Sequence, residues 1–293
     1  YKRQGSHRVG ADYLMWPPLF LLLMPETIVR SIHPTPNVEK GVAYWEGVPA
    51  TVDGVLGGFG NGTLPRVDAL GSRTFLLRTL PYLSSTPPAA YNGTPREWQK
   101  ERLDQRGGPG KVVTRALDCG AGVGRVTEHS LLPLVDEVHL VEPVHKFLEE
   151  AKRASPSWAP LRVSNIESPF QAHKCVYFYT SILQGFPISD PQSSGCSDIP
   201  PTHMDDQQVP LEQAPLYYDV IWCQWCLQHL SEKDMLTFLC DAKQALKPPS
   251  DTTGDPFMTC PGGAIIVKEN VCRDGEGGTE ATWYDEEDYS VTR

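Results

Sequence analysis

The sequence has no long apolar run and no excess of basic residues. Across its 293 residues, the longest apolar candidate, residues 19–24 with their flanks, falls far short of the ~18 residues that a membrane-spanning helix needs. Lysine and arginine total 26 against 36 aspartates and glutamates, which gives a net charge of -10. A nucleic-acid-binding surface needs clustered basic residues to neutralise phosphates. The composition therefore predicts a protein that binds neither membrane nor nucleic acid.

The spacings of a disulfide scaffold or a zinc site are missing as well. The eight cysteines are scattered, and no second pair follows the C-x-x-C of Cys223 and Cys226 at zinc-site spacing. Both lie at the end of an apolar segment, where cysteine acts as a small hydrophobic side chain. We therefore predict no metal site. Reduced thiols are typical of intracellular compartments, so we expect the protein in the cytoplasm, the nucleus or both.

Proline is nearly missing from two stretches of an otherwise proline-rich chain. The sequence contains 27 prolines, yet residues 111–147 and 217–247 hold only Pro133 and Pro143. Because proline interrupts regular structure, these two stretches are predicted to carry the strands and helices of the core.

The remaining prolines indicate where the domain begins and where it is interrupted. We expect a disordered extension over residues 1–36 and a single domain over residues 37–293. Loop insertions are predicted at about 84–110, 187–216 and 248–262, and we interpret the one at 187–216 as a solvent loop.

The order of apolar segments predicts an α/β fold. Strands alternate with helices, which favours a parallel, Rossmann-like sheet with helices on both faces and a ligand site at the carboxyl ends of the strands. The predicted strands are residues 112–119, 137–142, 175–183, 217–223 and 263–268. The predicted helices are residues 125–132, 144–153 and 231–246, the last of them capped by Ser231.

A glycine-rich segment follows the first predicted strand. Residues 118–125 (DCGAGVGR) place glycine at alternate positions, which permits a tight turn and a close approach of the backbone to a ligand. A dinucleotide-binding turn has the spacing G-x-G-x-x-G, but Arg125 occupies the position of its third glycine. Glu142 ends the second predicted strand, where its carboxylate can accept hydrogen bonds from both ribose hydroxyls.

This region resembles the seven-stranded class I methyltransferases, which bind S-adenosylmethionine. In that superfamily the glycine loop wraps the methionine and ribose portions, and the acid that ends the second strand holds the ribose. The resemblance implies S-adenosylmethionine as the cofactor, with Arg125 as a two-pronged donor to its carboxylate. This cofactor has no pyrophosphate, which is consistent with the altered glycine spacing.

Further motifs narrow the resemblance to the protein α-N-terminal methyltransferases, which act on proteins with a free X-Pro-Lys/Arg N-terminus. The motifs occur in order at residues 51–60 (TVDGVLGGFG), 219–230 (DVIWCQWCLQHL), 266–270 (IVKEN) and 285–293 (DEEDYSVTR). By this resemblance the cofactor would contact Gly120, Arg125, Glu142, Leu183, Gln184 and Gln224. The substrate would contact Leu56, Trp225, Asp285 and Ser290, the catalytic residues would be Asp288, His229 and Asn270, and Trp45 would help to close the site.

The chemistry of an amine substrate is consistent with these residue types. A protein α-amine has a pKa of about 7.7–8.0, so Asp288 and His229 need only accept or relay one proton. Trp225 offers a flat apolar face for a proline ring, and Asn270 can hydrogen-bond an extended peptide. The acids of residues 274–288 suit a basic third residue of the substrate.

Two alternatives stay open on the sequence: a methyltransferase of the same fold that acts on a small metabolite, and a catalytically inactive binding module. Family members begin with a helical extension and continue beyond the counterpart of Arg293 with a helix and an antiparallel strand pair. We therefore expect an N-terminal helical extension here, and we expect that the C-terminal strand pair is missing because the sequence is incomplete. We also expect a monomer.

Overall fold

The computed structural model describes residues 35–84, 86–87, 89, 91–95, 97–98, 100–101, 114–162, 174–197, 199–203, 214–249, 261–272 and 282–293. Apart from Thr35 and Pro36, the extension predicted over residues 1–36 lies outside them. Parts of the insertions predicted at 84–110 and 248–262 also lie outside.

A parallel sheet with one antiparallel edge strand forms the centre of the described part of the chain. Its strands are β1 (Arg115–Cys119), β2 (Glu137–Glu142), β3 (Cys175–Thr180), β4 (Thr202–His203), β5 (Val220–Gln224) and β6 (Ala264–Lys268). They lie in the order β4-β3-β2-β1-β5-β6, with β4 antiparallel to β3. The strand order reverses at β1, and ligands bind at such a switch point, outside the carboxyl ends of the strands.

Helices flank this sheet and precede it. They are α1 (Val38–Gly47), α2 (Val52–Val55), α3 (Leu64–Thr79), α4 (His145–Ala154) and α5 (Glu232–Gln244). Because α1 to α3 come before β1, the predicted N-terminal helical extension is confirmed. Ser231 caps α5 as predicted: its Oγ accepts from the N–H of Asp234 at 3.1 Å and donates to the Asp234 carboxylate at 2.7 Å. None of the described helices is long and apolar enough to cross a membrane.

Single turns of helix connect these elements. The 3₁₀ turns are Pro81–Leu83, Ser155–Ser157, Ala159–Leu161, Pro191–Ser194 and Leu227–His229, and a π-helical turn spans Thr127–Leu131.

Two apolar cores lie on opposite faces of the sheet, because side chains alternate along each strand. Ala116 of β1 belongs to the core that contains Leu148 of α4. The next residue, Leu117, belongs to the core that contains Phe238 of α5. The chain therefore has the predicted Rossmann-like fold, with helices on both faces of the sheet.

Several element boundaries differ from the sequence prediction. The third strand ends at Thr180 and not at residue 183, because the N–H of Ser181 already bonds to the carbonyl of Glu142 at the end of β2 and the chain then turns. The fourth strand begins only at Val220. The helix predicted over 125–132 becomes the π-helical turn after residue 126, where the N–H of Leu132 bonds to the carbonyl of Thr127 at 2.9 Å.

The insertion at 187–216 is not a solvent loop over its described part, so that interpretation was wrong. It supplies β4, and it buries Ile188, Ile199 and Leu216 in the two cores. Proline has no backbone N–H to donate in a sheet, but its neighbours can still pack in a core. Proline content was therefore a poor guide to burial in this segment.

The acidic segment near residue 285 also contains an element that the sequence did not predict. A short antiparallel pair, β7 (Trp283–Tyr284) and β8 (Val291–Thr292), brings its two ends together. On the main sheet, β6 has a neighbour on one side only within the described residues, and its Val267 is 52% exposed.

Gly124 lies where the glycine loop packs closely against the apolar core. Its φ is +80°, and an added Cβ would lie 2.6 Å from Cη2 of buried Trp158. We expect Gly124→Ala to lower the free energy of unfolding by about 2 kcal/mol or more, because the left-handed conformation and the ring contact both oppose a side chain.

The matched control is Gly71→Ala inside α3, where an added Cβ meets nothing within 4 Å. It should raise the free energy of unfolding by about 0.5–1 kcal/mol. Urea denaturation of both variants makes the comparison, and wild-type stability of Gly124→Ala would contradict the packing described.

Candidate active site

A cavity of about 470 Å³ opens at the carboxyl ends of β1, β2, β3 and β5. The site residues predicted from the sequence all line it: Leu56, Gly120, Arg125, Glu142, Leu183, Gln184, Gln224, Trp225, His229, Asn270, Asp285, Asp288 and Ser290. Trp45 of α1 lines it too. The fold thus gathers segments that are far apart in the chain around one space.

The glycine loop forms the floor of this cavity. The backbone N–H groups of Gly120 and Ala121 both donate to the carbonyl of Val141, at 2.9 and 3.2 Å, which draws the loop over the end of β2. At Gly120, with φ +64°, an added Cβ would lie 2.6 Å from Cβ of Cys226. The close approach of β1 and β5 at their carboxyl ends therefore requires glycine here.

Glu142 is buried at the end of β2, with each carboxylate oxygen held by one backbone group. Oε2 accepts from the N–H of Gly122 at 2.9 Å, and Oε1 accepts from the N–H of Val144 at 3.0 Å. Each oxygen keeps a lone pair for a further donor. Burial is the main cause that raises the pKa of Glu142 to about 7.

Asp118 lies beneath the same loop. Burial raises its pKa to about 6, against the hydrogen bond of 2.6 Å that it accepts from the Thr127 hydroxyl. Thr127 begins the π-helical turn, so this contact ties the turn to the end of β1.

The sequence analysis missed Asp68, the partner of several site residues. It lies in α3 and is 8% exposed, and its carboxylate accepts from Arg125 Nη1 at 2.5 Å, from Gln224 Nε2 at 3.1 Å and from Lys268 Nζ. Burial opposes its charge, but the hydrogen bonds from Lys268 and Arg125 prevail and lower the pKa of Asp68. Asp68 is therefore ionised at neutral pH.

Hydrophobic patterning could not have found Asp68. Within α3 the apolar Val67 and Leu70 are 65% and 61% exposed, whereas the polar Asp68 and Ser72 are buried. The pattern on this turn is the reverse of that expected for an amphipathic helix. A signal did exist in Gln224, whose amide in an apolar strand needs a buried polar partner.

The side-chain amide of Gln224 is held in one orientation by its hydrogen-bond partners. The indole N–H of Trp222 donates to its Oε1 at 3.1 Å, and its Nε2 donates to Asp68. An indole only donates and a carboxylate only accepts, so both contacts select the same orientation of the amide.

The turn after β5 carries the residues predicted to contact the substrate. Trp225 has φ +57°, a left-handed conformation that is uncommon for a bulky residue. The carboxylate of Glu269, also missed by the sequence analysis, accepts from the N–H groups of Cys226 and Leu227 at 2.8 and 2.9 Å and so holds the turn that leads to His229. Burial raises the pKa of Glu269.

His229 and Asp288 face each other in the cavity. The distance from His229 Nε2 to Asp288 Oδ2 is 4.0 Å, and the Trp45 ring packs edge-on against the imidazole at 6.5 Å between centroids. Burial lowers the pKa of His229, against the opposing effect of Asp288 and Asp285. The imidazole is therefore neutral near pH 7 and able to accept a proton.

The acidic turn over residues 285–290 is tightly bonded within itself. Oδ1 of Asp285 accepts from the N–H of Glu287 at 2.8 Å, and Oδ1 of Asp288 accepts from the N–H of Ser290 at 3.0 Å. Tyr289 has φ +59°, and its carbonyl accepts from the N–H of Asn37 at 3.2 Å at the start of α1. Residues 273–281 of the acidic segment lie outside the described residues.

One predicted site residue gains less from the contacts. Asn270 is exposed at the mouth of the cavity. Cys223 and Cys226, for which no metal or redox role is predicted, are buried thiols. A hydrogen bond with Cys119 and burial raise the pKa of Cys223, and a hydrogen bond with Cys223 and burial raise the pKa of Cys226. Within the described ranges no cluster of metal-ligating side chains occurs.

The cavity fits a nucleoside joined to an amino acid. Beside one end, Asp68 and the cations Arg125 and Lys268 form a cluster with one net positive charge, and Arg125 presents this cluster to the cavity, which suits a ligand carboxylate. Glu142 can accept from ribose hydroxyls, and the glycine loop lets the ligand approach the backbone. The volume lies within the ~300–1,000 Å³ range of small-molecule sites.

Comparison with known proteins agrees with this geometry. The chain matches the family model described as AdoMet dependent proline di-methyltransferase over residues 34–87, 96–187 and 206–293. It is 33% identical to the alpha N-terminal protein methyltransferase 1 of Arabidopsis thaliana, over 86% of this chain and 64% of the relative. It is 31% identical to the N-terminal Xaa-Pro-Lys N-methyltransferase 1 of Homo sapiens, over 80% of this chain and 71% of the relative.

A solved SAM-dependent methyltransferase from Leishmania major aligns with 87% of this chain and 67% of its own, at 28% identity and a TM-score of 0.49. The chain spans less than two thirds of the plant relatives it matches, 64% for Arabidopsis thaliana and 58% for Oryza sativa. The family model nevertheless covers most of the chain. The chain therefore belongs to the AdoMet dependent proline di-methyltransferase family.

Proposed function

We propose that this protein methylates the α-amino group of proteins with X-Pro-Lys/Arg N-termini, with S-adenosylmethionine as the methyl donor. The observation that carries the proposal is the continuity of the cavity. A nucleoside half, floored by the glycine loop and Glu142, opens into an amine half lined by Trp225, His229 and Asp288.

The bound cofactor supplies a methyl group on a sulfonium, which the lone pair of an amine can displace in line. The protein must then align the amine and receive one proton. His229 is neutral and lies beside Asp288, so the pair can take that proton and share the resulting charge. An α-amine with a pKa of about 7.7–8.0 is already partly neutral near pH 7, which limits what the pair must do.

The walls of the amine half suit an extended, basic peptide. The indole face of Trp225 can pack on a proline ring, and Leu56 and Ser290 line the same region. Asn270 at the mouth can hydrogen-bond a peptide backbone, and Asp285 and its acidic neighbours suit a lysine or arginine. A small metabolite would leave this acidic wall without a partner, which disfavours the first alternative. The proton-accepting pair disfavours an inactive binding module.

The setting of this reaction is also a proposal. We infer a monomer that acts on protein substrates in the cytoplasm, the nucleus or both, without nucleic acid or membrane as a partner. Four buried cysteines form no disulfide, which supports a reducing compartment: Cys119, Cys175, Cys223 and Cys226.

Labelling of peptides tests the proposal directly. The protein is incubated with methyl-labelled S-adenosylmethionine and a Ser-Pro-Lys or Pro-Pro-Lys peptide, and the expected result is label on the α-amine. The matched control is the same peptide with an acetylated N-terminus, which should take no label. Label that persists on the acetylated peptide would place the reaction on the lysine side chain and refute the proposal.

Removal of the carboxylate charge at Asp288 should impair turnover and spare the cofactor. We expect Asp288→Asn to lower kcat by roughly 10²–10⁴-fold, the usual contribution of acid–base groups, with cofactor affinity near that of the wild type. Steady-state kinetics and calorimetric titration with S-adenosylhomocysteine measure the two quantities. The control is Asp241→Asn on the exposed surface of α5, and an equal loss of cofactor affinity in Asp288→Asn would mean that its role has been misassigned.

Cofactor affinity should depend on pH through Glu142. Its pKa is raised to about 7, so the carboxyl becomes protonated as pH falls through 7 and accepts fewer hydrogen bonds from ribose. Affinity for S-adenosylhomocysteine should therefore be weaker at pH 6 than at pH 8. Glu142→Gln, which cannot titrate, should bind weakly at both values, and an unchanged pH dependence in that variant would assign it to another group.

A further inference from the structure

Asp68 has the contacts of a site residue without being one of the residues that line the cavity. Its carboxylate joins α3 to the glycine loop through Arg125, to β5 through Gln224 and to β6 through Lys268. The side chain of Asp68 is 4% exposed, so water cannot replace these donors. Two of the three donors are cavity residues predicted to contact the cofactor.

The Arg125 side chain is held on two sides. One terminal nitrogen bonds to Asp68, and the guanidinium carbon lies 5.6 Å from the centroid of the Trp225 ring. A guanidinium has several donors in one plane, so a bond to Asp68 on one edge leaves other donors for a ligand carboxylate. The direction in which those donors point is therefore set by Asp68.

The charge of the cluster depends on Lys268 as well. Its Nζ contacts Asp68 and donates to the Ser72 hydroxyl at 3.1 Å, one helical turn further along α3. With Lys268 present, the carboxylate is offset by two cations and the cluster is positive. Without Lys268, Asp68 and Arg125 would neutralise each other.

We propose that Asp68 is a positioning residue that holds the Arg125 guanidinium where the carboxylate of the cofactor binds, while Lys268 keeps the cluster net positive. The inference rests on the proposed use of S-adenosylmethionine and goes beyond it in assigning cofactor selectivity to a residue that the cofactor does not touch. Because Asp68 positions Arg125 before the methyl group is transferred, its loss should lower the affinity for the cofactor.

Two ligands separate this role from general stability. S-adenosylhomocysteine carries the amino acid carboxylate, whereas 5′-methylthioadenosine has the same adenosine and thioether without it. We expect Asp68→Asn to weaken S-adenosylhomocysteine about 10- to 100-fold, the scale of one hydrogen bond to a charged group. Affinity for 5′-methylthioadenosine should change less than about twofold. The ratio of the affinity for S-adenosylhomocysteine to that for 5′-methylthioadenosine should therefore fall.

The matched control is Asp219→Asn. Asp219 is also a buried carboxylate, and it accepts from Lys247 Nζ at 3.2 Å and from the Tyr82 hydroxyl at 2.9 Å, but it precedes β5 at the end of the sheet opposite the cavity. Its loss should reduce stability and leave the ratio of the two affinities at the wild-type value. A ratio lowered equally in both variants would overturn the proposal.

A double-mutant cycle tests whether Asp68 acts through Arg125. In an Arg125→Gln background, Asp68→Asn should cost little further affinity for S-adenosylhomocysteine. Additive losses would overturn the proposal. Lys268→Gln provides a variant at a partly exposed residue in case Asp68→Asn does not fold, and it should also lower the ratio, because it neutralises the cluster.

The outcomes also separate this inference from the proposed function. Wild-type protein that binds neither ligand would refute cofactor use and this inference together. If the wild type binds S-adenosylhomocysteine but the ratio of the two affinities is unchanged in Asp68→Asn, the inference is refuted and the proposed function still stands. If Asp68→Asn does not fold, the same comparison is made with Lys268→Gln.

Discussion

The buried carboxylate of Asp68 is the contact on which the arrangement of α3 and the cofactor end of the cavity depends. A charge that is removed from water and left unpaired costs several kcal/mol. A rotation of α3 that buried Val67 and Leu70 would separate Asp68 from Arg125 and Lys268, and would leave the buried charge of Arg125 without this partner. Ion pairing therefore acts together with the burial of Ala69 and Leu76 to set which face of this helix meets the sheet.

A second, partly buried carboxylate positions the backbone of the amine half, as Asp68 positions side chains of the cofactor half. Glu269 holds two backbone N–H groups of the turn after β5, while Trp225, at φ +57°, donates its own N–H to the carbonyl of Lys268 at 3.2 Å. Strained backbone persists only where its surroundings hold it. The end of β6 thus provides both contacts, and consecutive residues of one strand end, Lys268 and Glu269, serve the two halves of the cavity.

The sequence was sufficient for the five parallel strands, the glycine loop and the residues that line the cavity, because each has a local signature or a motif. It was insufficient for Asp68 and Glu269, since neither touches the ligand space that the motifs describe and each acts through a partner far away in the chain. The insertion at 187–216 was misinterpreted for a related reason. Its proline content is local, but the burial of Ile188 and Leu216 is decided by strands elsewhere.

The charges of the cavity form a gradient that orders its ligands. The cluster of Asp68, Arg125 and Lys268 beside one half of the cavity carries one net positive charge. Asp285 and Asp288 line the other half, together with neutral His229. A cofactor that enters with its carboxylate toward Arg125 leaves the acidic end to a cationic peptide. Reversed binding would bring a carboxylate to Asp288 and a lysine to Arg125, and like charges repel at both ends. Selection of the two ligands and their orientation for transfer thus have the same physical origin.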